Sequence, residues 1–230
     1  MSQKALVVAI DGPAASGKST TARLVAERLG YQHLDTGAMY RAVTLKVLRA
    51  GVRPGDEHGI AKLLETTRVQ LAEKNGEQKV LLDGEDVTRE IRSDAVTKGV
   101  SDVSSLGPVR AAMVREQRRM GEGGGIVLEG RDIGTVVFPD ADVKIFMVAG
   151  IEARALRRQK ELKARGRDAA LDVLIGEIAE RDAKDSGRSR SPLRKASDAV
   201  EVDTTGMTID EQVDLVVGKV REKLRGVEAR

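Results

Sequence analysis

The stretch ALVVAIDGPAASGKST, Ala5–Thr20, decides how the chain is read. Its first seven residues, Ala5–Asp11, form a short apolar run closed by an acid, as expected of a strand buried on both faces. The next eight, GPAASGKS (Gly12–Ser19), carry the spacing G-x-x-x-x-G-K-S, and helical periodicity follows from about Lys18 to Leu29. Strand, glycine loop and helix start together make a phosphate cradle. Gly12 and Gly17 allow backbone angles that other residues avoid. The loop can then turn its amide N–H groups towards phosphate oxygens, and the helix N-terminus adds its positive dipole end. On this reading Gly12, Pro13, Ala14, Ala15, Ser16, Gly17, Lys18, Ser19 and Thr20 hold ATP. Lys18, expected to be exposed in the empty loop, bridges the β- and γ-phosphates, and the Ser19 hydroxyl sits on Mg²⁺. The loop alone identifies a user of nucleoside triphosphates and does not separate kinases from GTPases or motor ATPases.

Working outward, IVLEG (126–130) and VKIFMVA (143–149) read as two more buried strands, and Ala199–Val202 as a short one. Helical stretches run over about Gly37–Ala50, Ile60–Leu64, Ser93–Ser105, Pro108–Met120, Glu152–Ala164, Ala170–Lys184 and Thr208–Leu224. Apolar strands alternating with helices predict an α/β chain with a P-loop NTPase fold, its mostly parallel central sheet flanked by helices. Residues 68–83 break the pattern. RVQLAE and QKVLLD flank Asn75-Gly76, a hairpin signal, and a second turn is expected at Asp83-Gly84, giving a small antiparallel insert. GEGGG (121–125) reads as a flexible joint.

The chain has 230 residues, enough to bury a core without staples, and no cysteine, which excludes disulfides and thiolate metal sites. Aromatics are 2% of residues, so the core must be aliphatic and a base-stacking set for single-stranded nucleic acid is missing. No stretch of 18 apolar residues is present, and the first apolar run is too short for a secretory signal; a soluble cytoplasmic protein is expected, with no membrane partner. The formal net charge of +3 is a weak basic bias. Glu152–Lys195, however, holds 13 Lys/Arg against 8 Asp/Glu, so positive charge is gathered where an anionic ligand would need it.

A second cluster, LDTGAMYR (Leu34–Arg41), offers Asp35 and Thr36 as a helix N-cap, with Arg41 about 1.5 turns on, able to face an incoming phosphate. GPAASGKS and LDTGAMYR at this spacing resemble the bacterial cytidylate kinases. IRSDAVTKGVSDVSSLGPVR (91–110), GRDIGTVVFPDADVKIF (130–146) and ERDAKDSGRSRSPL (180–193) are similar to further segments of that family, and the likeness runs from about Val7 to Leu224. The resemblance implies a nucleoside monophosphate kinase that moves the γ-phosphoryl group of ATP onto CMP or dCMP, with Mg²⁺, as a monomer and without nucleic acid.

Residue by residue, the resemblance implies a CMP site made of Asp35, Thr36, Arg41, Ser101, Arg110, Arg131, Asp132, Arg181, Asp185 and Arg188. Ser101 and Arg110 would contact cytosine, with Asp132 accepting from its amino group. Arg131 would hold the acceptor phosphate and Asp185 the ribose hydroxyls. Arg181, Asp185 and Arg188 fall at i, i+4 and i+7, which helical spacing puts on one face. Ser19 and Glu129 would serve the metal. The basic segment 153–170 resembles the family's lid, from which Arg157 and Arg158 are chosen as phosphate contacts. Lys18, Arg131, Arg157, Arg158 and Arg181 thus form the expected catalytic set. The expected subdivision is a core (about 1–35, 106–152 and 190–230), an acceptor-binding part with its small insert (about 36–105) and the lid. The competing expectations are a P-loop kinase acting on UMP, shikimate or dephospho-coenzyme A, and an ATP-driven nucleic-acid module.

Overall fold

A computed structural model describes residues 5–53, 55–74 and 77–228 of the chain. They divide into two compact units, one made of residues up to 34 together with those from 121 onward, the other of residues 35–120.

The first unit is built on a five-stranded sheet in the order β2-β6-β1-β7-β8. Its strands are β1 (Val7–Asp11), β2 (Gln32–Asp35), β6 (Ile126–Gly130), β7 (Val143–Val148) and β8 (Val200–Asp203). β1 runs parallel to β6 on one side and to β7 on the other, and β7 parallel to β8. The strand order reverses around β1, and the carboxyl ends of strands at such a switch point are where ligands bind in open α/β sheets. Because helices pack on the sheet, the central strands lack polar alternation: all of β6 is buried, as are Val8, Ala9 and Ile10 of β1. α1 (Lys18–Leu29) and α8 (Ile209–Glu228) lie together, and Val25, Val213, Val216 and Val220 share a core with Ile10, Val127, Ile145 and Met147. α6 (Ile151–Lys163) and α7 (Leu171–Ser186) pair through a smaller cluster of Ala155, Leu162, Leu174 and Ile178.

The second unit comprises α2 (Thr36–Arg49), α3 (Glu57–Thr66), α4 (Asp94–Ser105) and α5 (Gly107–Met120) with an antiparallel sheet β3-β4-β5 (Val69–Lys74, Glu77–Leu82, Glu85–Asp86). α2 packs on α4 and α3 on α5. The insert expected over 68–83 is this sheet; its Asn75-Gly76 turn lies outside the described residues. Arg49, at the end of α2, clamps the insert from outside, donating to both oxygens of Glu85 and to Glu90, while Lys46 pairs with Asp83 at 2.7 Å.

Four sequence expectations change. β2 was not anticipated, because QHLD holds one apolar residue and lies at the sheet edge, where a strand needs little apolar character. Ile133–Val137, given no element between the two expected strands, winds into one wide turn in which Phe138 N–H donates to Ile133 C=O at 2.7 Å. α5, which was placed with the core, belongs to the second unit. α7 ends at Ser186, so Arg188 lies beyond the helix whose face it was expected to share. Among the described residues no helix is long and apolar enough to cross a membrane.

Candidate active site

The phosphate loop leaves β1 at Gly12, whose φ is +154°; a Cβ there would sit 2.2 Å from the Met147 carbonyl oxygen, so no other residue fits. Gly17, at φ +97°, forms the N-cap of α1, and Ala15 holds a left-handed φ of 59°. Such a backbone is strained for alanine and is retained where loop shape matters. Two groups from the far end of the chain hold the loop in place. Thr204, fully buried after β8, presents its hydroxyl to the Ser16 carbonyl at 2.9 Å and the Val148 carbonyl at 3.0 Å. Gln212 of α8 accepts from the Thr21 hydroxyl at 2.9 Å, its Oε1 next to the Gly17 backbone.

Lys18 is buried at 6% exposure, and its Nζ donates to the Pro13 carbonyl at 2.9 Å. The expectation of an exposed lysine is therefore corrected: the loop folds over the ammonium group and satisfies it with its own backbone. Ser19 donates to Glu129 Oε2 at 2.6 Å, and the other oxygen of Glu129 lies 3.3 Å from His33 Nε2 on β2. Burial pushes the Glu129 carboxyl up, but His33, the Lys18 charge and the Ser19 hydroxyl together hold it below the usual range. Its surroundings thus favour the charged form beside the loop hydroxyl. Among the described residues no group of three His, Cys, Asp or Glu could hold a metal by itself. A hydroxyl and one carboxylate nevertheless suit a hard cation that keeps several waters and takes its other ligands from phosphates.

After β6 the chain turns through Arg131 and Asp132. Arg131 Nε donates to Asp185 Oδ2 at 2.8 Å, and Arg188 Nη2 to Asp185 Oδ1 at 2.6 Å. Burial pushes Asp185 up, yet the charges of Arg131 and Arg188, with Arg181 one turn earlier on α7, outweigh it and hold the carboxyl low. Asp185 is 2% exposed. The ribose role expected for it thus meets a carboxylate whose two oxygens each already hold a guanidinium. Asp132 is buried, and its carbonyl accepts from Val136 and Val137 in the wide turn.

In the basic segment, Arg157 reaches the loop side: Nη1 donates to Thr204 Oγ1 at 3.0 Å, Nη2 to the Thr204 carbonyl, and Nη1 lies 3.7 Å from where a Gly17 Cβ would be. Burial lowers its pKa. Arg158 instead pairs with Glu161 on its own helix at 2.9 Å. Arg154, counted from the sequence within the basic lid segment but not chosen as a contact, is 7% exposed and joins the Ala14 carbonyl, at 3.3 Å, to Asp182, at 2.6 Å. Thr204 was not singled out from the sequence. A burial signal for a single arginine within a basic run is not readable from composition, and Thr204 stands in a run of small polar residues.

In the second unit, Asp35 caps α2 as expected, Oδ1 accepting from Ala38 N–H at 2.9 Å, and Thr36 is buried behind it. Arg110 is 6% exposed, lies over the Tyr40 ring at 5.6 Å and donates to the Ser104 carbonyl at 3.5 Å. Ser104 in turn donates to the Ser101 carbonyl at 3.2 Å, so Arg110 is tied to the α4 backbone one turn from Ser101. Tyr40 was not singled out from the sequence, though it stands in LDTGAMYR. Arg41 Nη1 donates to Thr97 Oγ1 at 2.9 Å and to the Ile91 carbonyl at 3.3 Å, which ties α2 to α4.

A phosphate loop at the switch point of a parallel sheet, a buried acid bonded to its serine and a gathered set of arginines define a P-loop kinase. A gluconokinase from Sinorhizobium meliloti 1021 has the same fold, with a TM-score of 0.51 at 12% identity over 98% of this chain and 97% of that one. Residues 8–222 match the cytidylate kinase family, and the chain belongs to it. It is 48% identical to the cytidylate kinase of Geobacter sulfurreducens over 97% of this chain and 96% of that protein. To that of Ligilactobacillus salivarius it is 51% identical, over 96% and 98%.

Proposed function

We propose that the protein transfers the γ-phosphoryl group of ATP to CMP, and to dCMP, giving ADP and CDP or dCDP. An oxygen of the acceptor phosphate attacks the γ-phosphorus in line while the bond to the β,γ-bridging oxygen breaks, and the electron pair leaves on ADP. The acceptor oxygen is already ionised, so no strong base is required. Catalysis is then positioning plus positive charge, the two things this site supplies.

The loop from Gly12 to Thr20 cradles the triphosphate, and Lys18 exchanges its Pro13 partner for phosphate oxygen. Ser19, with Glu129 next to it, would hold Mg²⁺ on the phosphate tail, where the ion neutralises charge. Arg131 takes the acceptor phosphate, with Arg188 and Arg181 adding charge and Asp185 holding Arg131 and Arg188 in orientation. Asp132 accepts from the cytosine amino group. Arg110 and Ser101 read the ring acceptors, and Tyr40 supports the Arg110 plane. Asp35 and Thr36 shape the start of α2, and Arg41 stiffens it. Arg157, already at the loop, is the phosphate-contacting arginine of the basic segment 153–170, which acts as a lid and excludes water from a reaction whose competitor is hydrolysis. Arg158, paired on its own helix, serves the lid's charge. The chain acts as a cytoplasmic monomer.

The observation that carries this reading is the convergence, in one unit, of the phosphate loop, Glu129 on Ser19, and Arg131 and Arg188 on one carboxylate. A coupled assay offering CMP, dCMP, UMP, AMP and shikimate with MgATP tests it. CMP and dCMP should be turned over well ahead of the others; no response to either removes the reading.

A further inference from the structure

β1 and β6 run in parallel register up to the pair Asp11 and Gly130. Past that pair both chains leave the sheet, β1 into the phosphate loop at Gly12 and β6 into Arg131 and Asp132. The Asp11 side chain continues the connection between them. Oδ1 accepts from Ile133 N–H and Oδ2 from Gly134 N–H, each at 2.8 Å. These are the two residues that directly follow Arg131-Asp132. A Cβ on Gly134 would be in ordinary contact with Asp11 Oδ2 at 3.5 Å and tight against the Lys144 side chain at 3.2 Å. Asp11 is 5% exposed, with the charges of Lys18 and Asp132 acting on it in opposite senses. Burying a carboxylate is costly, and an apolar residue at this strand end would avoid that cost but leave two buried amides unpaired.

We propose that Asp11 is a positioning residue for phosphoryl transfer, fixing the acceptor-side pair Arg131-Asp132 against the donor-side loop that begins at the next residue. The proposal rests on the assignment of Arg131 to the acceptor phosphate. It is distinct from holding either nucleotide, because neither amide that Asp11 binds belongs to the loop around ATP. In-line transfer is sensitive to small misplacement, with about 1 Å able to cost about 100-fold in rate.

The test uses the full chain, wild type and Asp11→Asn, with MgATP and CMP. CDP formed and ATP consumed are measured separately, and each nucleotide's Kd is taken by calorimetry. In Asn one oxygen still accepts, while the amide nitrogen opposes a backbone N–H, so the bracket opens on one side. The kcat for CDP should fall about 100-fold with the Kd of ATP within about threefold, and CDP formed per ATP consumed should drop, because ATP stays held while its acceptor is out of line. If CDP formation and ATP consumption fall in parallel, or kcat stays within about threefold of wild type, the proposal is overturned. Should Asp11→Asn fail to fold, Asp11→Glu keeps the carboxylate, displaces it by one methylene from the same two amides and is judged by the same ratio. A wild-type protein that makes no CDP would defeat the parent assignment instead, so the two failures are distinguishable.

Discussion

Arg131 is anchored on Asp185, Nε to Oδ2 at 2.8 Å, and the other oxygen of the same carboxylate holds Arg188. One buried acid thus orients two guanidinium groups that would otherwise repel one another. Removing it should hurt twice. Asp185→Asn leaves two arginines close together with one oxygen acceptor and none of the carboxylate's charge, at a cost of about 3 kcal/mol in stability, since breaking a largely buried pair strands the partner charge. Denaturant unfolding at pH 7 checks the stability, and the kcat for CMP should fall at the same time.

The pH dependence of that stability has a definite sign. The folded pKa of Asp185 lies below its ordinary 3.8. Its contribution is therefore fully present above pH 3.8 and lost as pH falls through the folded value. Asp11 behaves oppositely, because burial, partly offset by the Gly134 and Ile133 amides, raises it to about 6. Its contribution is present below 3.8 and lost as pH rises towards 6, by about 3 kcal/mol in all. Melts of wild type and Asp11→Asn should therefore diverge between pH 4 and 6, wild type losing ground as pH rises; parallel curves would contradict the buried, raised carboxyl.

Lys18→Ala should reduce kcat by about 10³-fold, the scale set by removing one preorganised charge from a transition state. Because Lys18 is buried and bonded to Pro13 rather than exposed, some loss of stability is expected as well. Circular dichroism melts alongside the coupled assay separate the two effects.

Glu129→Gln keeps a hydrogen-bond acceptor for Ser19 but removes the charge. The Mg²⁺ concentration giving half-maximal rate should rise about tenfold, in the range seen when a carboxylate near a metal is neutralised. A Mg²⁺ titration at saturating nucleotides reads this directly, and an unchanged midpoint would take Glu129 out of the metal site.

Arg110→Met should lower kcat/KM for CMP by about 100-fold or more while leaving the KM for ATP within about threefold, because a site built to hydrogen-bond a base leaves buried groups unpaired when the donor is lost. Initial-rate kinetics with each nucleotide varied in turn provide the check. Tyr40→Leu, which removes the ring beneath Arg110, should have a smaller effect in the same direction.

Much of this was legible in the chain because local physics and function coincide there. Val7–Asp11 followed by Gly12–Ser19 can be little other than a buried strand entering a phosphate loop, and Lys18–Leu29 begins and ends as a helix where the periodicity said. Asp35 was recognisable as a cap from its type and place. Bonds closed over long separations were not legible. Thr204 reaches the Ser16 carbonyl across 188 positions, and Asp11 reaches Ile133 across 122. Neither carries a periodic or compositional mark. The edge strand β2 escaped for a related reason, since QHLD pairs by backbone and needs no apolar signature. Lys18 was misjudged because exposure was inferred from residue type, whereas the loop's own carbonyl makes burial affordable.

The most direct measurement follows the γ-phosphoryl group itself. The purified chain is given MgATP labelled in the γ-phosphate, with CMP or dCMP, and the products are separated. Label should appear in the β-phosphate of CDP or dCDP, with one ADP formed for each. Label that stays on ATP, or reaches only inorganic phosphate with both acceptors present, would contradict a kinase that delivers this group to a cytidine monophosphate.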